Sequence, residues 1–190
     1  MNMRGRCACV ASACFFLFLG VATASATTLL RMSLAQMSHA AKVIVRARCA
    51  GSSARWDAGE IWTFSTFDAE ETWSGSPPAR FTVRLLGGSV GHLTSTVSGV
   101  PQFHRGEDVI LFLEPTSLGD FVVVGWQEGT FRVRRDPGAG EASVTQDSAA
   151  FATLDPVARR FQTDGIARMP LTLFRARVAF LLRSATEASR

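Results

Sequence analysis

The stretch SLAQMSHAAKVIVRARCAG, Ser33 to Gly51, changes its hydrophobic period halfway along, and that change decides the fold class. Ser33 and Gln36 stand at capping-box spacing, S-x-x-Q, ahead of a short helix. Leu34, Met37 and Ala41 follow at steps of three and four, which places them in one helical stripe. From Val43 the period becomes two. Val43, Val45, Ala47 and Cys49 then share one strand face, and Ile44, Arg46 and Arg48 share the other. The segment reads as a helical turn running into a half-buried strand. Cys49 lies on the apolar face, where a cysteine is a small core residue rather than a nucleophile.

Outward from this segment, strands continue. Ile61 to Glu71 is long, and a slip of its apolar phase between Phe64 and Phe67 predicts a bulge or strong coiling. Ser74 to Pro78 is a turn, and Phe81, Val83 and Leu85 alternate inward. Gly87, Gly88 and Gly91 form another turn before a candidate strand, His92 to Val97. Val109 to Leu113 is apolar throughout and short enough to be a strand buried on both faces. Phe121 to Trp126 and Thr130 to Arg134 complete seven strand candidates, joined by Gly/Pro turns. This density predicts a mainly β fold, a small β-barrel or sandwich. Residues 136–168 are polar at first and read as a linker or loop. Residues 169–184 read as a helix, with Pro170 at its start and an apolar stripe of Leu171, Phe174, Val178, Leu181 and Leu182. That amphipathic helix is expected to pack on the barrel. Its Arg-rich polar side leaves a second option, a position on a membrane surface.

Residues 1–26 are set apart by a different pattern. Arg4 and Arg6 precede an uncharged run from Cys7 to Ala26 that ends in the small residues ATASA. This order of charge, apolar core and small-residue exit predicts a secretory signal peptide and hence a periplasmic or extracellular protein. A retained N-terminal anchor is the alternative, because the run approaches bilayer-spanning length. Cleavage after Ala26 removes two of the 20 basic residues and none of the 16 acidic ones, leaving a net charge of +2. A domain so nearly neutral is not a nucleic-acid binder by charge. Cleavage also removes Cys7, Cys9 and Cys14, so the mature chain keeps Cys49 alone, with no internal disulfide and no multi-thiolate zinc site. The domain boundaries expected are 1–26, 27–135, 136–168 and 169–184.

Three segments carry a family resemblance. AAKVIVRARC (Ala40 to Cys49), TFDAEETWSG (Thr66 to Gly75) and GEDVILFLEP (Gly106 to Pro115) follow one another in an order that resembles the netrin-module group. That group includes the N-terminal domains of tissue inhibitors of metalloproteinases. The resemblance covers about residues 33–135 and implies an OB-like, closed or partly open five-stranded barrel. Inhibitors of the group use an N-terminal cysteine held by disulfides. Here the expected mature start is Thr27-Thr28, so the inhibitory residue is absent and no functional residue is carried over.

Candidate chemistry is sparse. His39, His92 and His104 are far apart, and none belongs to a metal-binding or triad motif. His104, in FHRGED with Glu107, has the context of a metal site or general base, against the plainer reading of a solvated loop. Glycines of LLGGSVG lack the Lys-Ser/Thr of a phosphate loop. Arg46, Arg48, Arg84, Arg132 and Arg134 sit on outward strand faces and, with His104, form a possible binding surface if their strands adjoin. The function expected is an exported, non-catalytic barrel that binds a protein, with no cofactor and no nucleic acid. The alternatives are a netrin-type protease inhibitor or protease-associated protein, and a metal-dependent enzyme using His104 and Glu107. Any membrane contact falls to the N-terminal segment or the C-terminal helix. Mass spectrometry of the exported protein is expected to find a chain starting at Thr27; one starting at Met1 would identify a tethered protein instead.

Overall fold

A computed structural model describes residues 32–135, 140–150, 153–155, 160–162 and 165–188. The expected signal segment, the start at Thr27 and residues 136–139, 151–152, 156–159 and 163–164 of the expected linker lie outside the described residues. The capping box forms as its spacing requires. Ser33 Oγ accepts from the Gln36 backbone N–H at 3.2 Å, and the Gln36 side chain accepts from Ser33 N–H at 2.8 Å. Helix Leu34–Ala40 (α1) buries Leu34 and Met37 and delivers the chain into strand Val43–Asp57 (β1).

β1 pairs antiparallel with Glu60–Ser74 (β2), and β2 pairs with Arg80–Leu86 (β3). The β1–β2 hairpin turns through Ala58 and Gly59, both at positive φ (50° and 85°), the geometry of a tight two-residue turn. Gly88–Val90 (β4) and Leu93–Ser95 (β5) form a small hairpin of their own. Asp108–Pro115 (β6) pairs with β1 along one edge. Its other edge is divided. Leu113 to Pro115 pair with Phe121–Val123 (β7), while Val109 to Leu111 pair with Thr130–Arg134 (β8). β7 meets β3 in parallel at Val83–Phe121. The ring β1-β2-β3-β7-β6 therefore closes, which is an OB-like barrel.

Past β8 the sheet continues to Ser143–Gln146 (β9) and, after the small hairpin Thr153–Asp155 (β10) with Arg160–Gln162 (β11), to Met169–Pro170 (β12). Residues 136–168, expected as a polar linker or loop, thus include the strands β9, β10 and β11 among their described residues. Their Gly/Ala/Ser composition hides a short alternation in which Val144 is fully buried opposite Val133. Helix Leu171–Ala188 (α2) follows directly, with Phe174 and Val178 buried. It packs on the body of the protein, as its stripe predicts. No helix among the described residues is long and apolar enough to cross a membrane.

Two cores result. The barrel interior holds Val43, Val45, Ala47, Cys49, Phe67, Val83, Val109, Leu111 and Leu113 among others. The second core, between the sheet and the helices, holds Met37, Ile44, Ile110, Phe112, Phe131, Val144 and Phe174. Strand β6 is buried on both faces, as its unbroken apolar run predicts. Cys49 is 1% exposed inside the barrel. The phase slip in β2 lies across from a bulge, as expected: Ala50 is the extra residue of β1 between Cys49, opposite Phe67, and Gly51, opposite Thr66. Phe67 points inward, while Phe64 turns to the outer face, where the Arg55 guanidinium covers its ring at 3.6 Å. Two further register shifts lie nearer the start of β1, between Ile44 and Val45 and between Arg46 and Ala47.

Glycine is required at Gly75, where φ is 77° and a Cβ would lie 2.4 Å from the Lys42 carbonyl oxygen. Because Phe112 bridges the double-faced strand to Phe131 (ring centroids 5.4 Å apart), Phe112→Ala is expected to cost about 3–5 kcal/mol. Urea unfolding measures this; a loss below about 1 kcal/mol would show that the second core is not cooperative with the barrel.

Candidate functional site

The five singled-out arginines do not form one surface. β6 lies between β1 and β8, and register decides which way each side chain leaves. Arg46 is paired across from Ile110, on the second-core side, whereas Arg132 is paired across from Val109, on the barrel side. Arg46 is consumed by a two-pronged bond to Asp108, Nε to Oδ1 at 3.0 Å and Nη2 to Oδ2 at 2.5 Å. That hydrogen bond raises the Arg46 pKa more than burial lowers it. Arg48 donates to Glu70 at 2.8 Å. Arg84 is almost buried on the outer face of β3, paired with Asp57 at 2.7 Å and lying over the Trp62 ring at 4.3 Å.

Arg132 has the densest set of partners. Its Nε and Nη2 donate to the two Asp147 carboxylate oxygens, both at 2.7 Å. Nη1 donates to Glu107, and Nη2 also to the Gln102 carbonyl at 2.7 Å. The guanidinium lies 5.0 Å from the Phe103 ring centroid, and Phe103 is buried in the barrel. Burial pulls the Arg132 pKa down, but Asp147 and Glu107 outweigh it and hold the group above its ordinary value. This cluster fastens the loop before β6, strand β8 and the 3-10 turn Asp147–Ala150 across one end of the barrel. His104 is an exposed outlier on it, its Nδ1 3.3 Å from Glu107 Oε1. Glu107 is therefore a partner of Arg132 rather than a free carboxylate beside an imidazole.

His39 and His92 are exposed at separate places, and no group of three or more His, Cys, Asp or Glu among the described residues is arranged to hold a metal ion. Asp68 and Glu70, which strand alternation puts on one face, separate into different ion pairs: Asp68 with Arg80 at 2.7 Å and Glu70 with Arg48. Arg80 holds the exposed Asp68 carboxyl below its ordinary value. That contribution is present above the unfolded-state pKa and fades as pH falls through the folded one, and solvent keeps it small.

Three of the candidates do meet at one place. Arg48, Arg132 and Arg134 line a groove of about 470 Å³ at the start of β6, together with Glu107, Asp108 and Arg135. Sequence reasoning missed a second feature. Beyond Cys49, which exchanges backbone hydrogen bonds with the loop before β6 (to Glu107 O at 2.9 Å and from Gly106 N at 2.8 Å), β1 is paired with β2 alone. Its other edge, Ser53 to Asp57, has no strand partner among the described residues. Trp56 stands there 52% exposed. The length of the RCAGSSARWD segment signals an arm, but pairing on one side cannot be read from a single strand.

Compared with models of known protein families the chain matches none, and no curated protein sequence is significantly similar to it. Arg132→Ala is expected to destabilise the fold by about 2–3 kcal/mol, because two carboxylates lose a shared cation. Arg132→Lys should restore less than half of that, since an ammonium cannot reproduce the forked contacts. Equal stability of wild type and Arg132→Ala in urea would show that the cluster holds nothing together.

Proposed function

We propose that this protein is an exported, non-catalytic OB-like barrel that works as a protein-binding module, with the outer half of β1 as its contact element. The unpartnered edge from Ser53 to Asp57 carries this reading. An open edge presents unpaired N–H and C=O groups, which an extended segment of another protein satisfies by adding a strand. Most of the arginines that a charge-based reading singles out support structure instead, because their guanidinium groups are held by carboxylates within the chain. The exported location rests on the layout of residues 1–26.

The netrin-type alternative, a protease inhibitor or protease-associated protein, would use this same edge. The loop Gly99 to His104 is less suited to entering a cleft. Pro101 and Phe103 are buried, and the Gln102 carbonyl is held by Arg132. A photo-crosslinking residue placed at Ser53, and in a control at the exposed Leu118, tests the assignment in the organism's envelope and medium fractions. Protein adducts identified at Ser53 and not at Leu118 are expected. Adducts at neither position, or equally at both, would overturn it.

A further inference from the structure

We infer that the open edge of β1 takes an extended acidic segment, one carrying two carboxylates four positions apart on one face and apolar side chains on the other. The inference rests on the protein-binding reading and specifies its ligand. Pairing across to β2 fixes which way the edge residues point: Gly51 opposes Thr66, Ser53 opposes Phe64, and Arg55 opposes Trp62. Gly51, Ser53 and Arg55 therefore lie on the outer face, and Ser52, Ala54 and Trp56 on the other. Two cations stand along that outer face. Arg55 is exposed, and its guanidinium carbon lies over the Phe64 ring, 3.6 Å from its centroid. Arg105 comes from the loop that borders the edge, and its Nη2 lies 3.5 Å from where a Cβ on Gly51 would sit.

Neither cation makes an ion pair with a described residue, whereas the neighbouring Arg46, Arg48, Arg84 and Arg132 all do. Gly51 and Arg55 are four residues apart, about 13 Å along a strand. A strand added along Ser53 to Asp57 would bring one side chain alongside Arg55 and its end up to Arg105, on the loop that borders Gly51. Carboxylates satisfy both guanidinium groups, and lysines there would be repelled. On the opposite face Trp56 offers apolar area to the alternate side chains of the same segment.

The test uses the chain from Thr27 onward and two fluorescein-labelled peptides, TVEVTVEVT and TVKVTVKVT, read by fluorescence anisotropy at low salt. The glutamate peptide is expected to bind about tenfold tighter than the lysine peptide. The double variant Arg55→Glu/Arg105→Glu is expected to reverse that preference. Both side chains are exposed, so circular dichroism should show the variant folded. N-methylation of alternate amides in the glutamate peptide should abolish binding if its backbone joins the sheet. Equal affinity for both peptides, no binding by either at millimolar concentration, or an unchanged preference in the double variant would overturn the inference. Peptide failure with a specific Ser53 crosslink would leave the protein-binding reading standing; loss of both would remove it.

Discussion

Val109 to Leu113 presents five apolar side chains in succession, and a strand can hide all five if both of its faces are covered. The rest of the architecture follows from that requirement. Val109, Leu111 and Leu113 point into the barrel, so β1, β7 and the strands beyond them must close around that side. Ile110 and Phe112 point the other way, so α1, α2 and the β8–β9 extension must cover the opposite side. One strand thus belongs to two cores, and neither can loosen without exposing residues of the other. The divided outer edge of β6 is the geometric form of the same constraint. Its last part closes the ring through β7, and its first part starts the β8–β9–β12 extension of the sheet.

The ionic groups are subordinate to this packing. Where β6 begins, its apolar run gives way to Glu107 and Asp108, and each is met by an arginine from a neighbouring strand. Arg132 is the more consequential, because it joins elements distant in sequence: the loop at Gln102, the approach to β6 at Glu107, and the turn at Asp147. Its side chain also lies against Phe103, which plugs the barrel end. Polar closure and apolar closure at that end are therefore one structure. The surface left for a partner is what this network does not use, namely the arm of the β1–β2 hairpin past the point where β6 stops pairing.

Local pattern made much of the fold legible. The capping box at Ser33, the switch of period at Val43, the inward alternation of Phe81, Val83 and Leu85 and the burial of Cys49 all depend on residues near one another in the chain, so spacing suffices to read them. Phe64 was not legible in the same way. Its outward position is tolerable because Arg55, from the neighbouring strand, lies over the ring, and a strand read alone does not contain its neighbour. Val144 was hidden for a related reason: a four-residue strand has too short an alternation to stand out from a polar, small-residue surround.

By itself the sequence determined the fold class, the direction of each well-patterned strand face and the charge balance, because these follow from composition and from periods of two and 3.6. It also determined the apolar run that demands two covers. Tertiary structure alone decided which arginines are occupied. Arg46 and Arg132 look equivalent on their strands, yet register across β6 sends them to opposite sides and to different carboxylates. It also decided that β1 outruns its partner on one side. Pairing is a property of two segments, and the length at which one ends before the other is fixed only when the barrel closes.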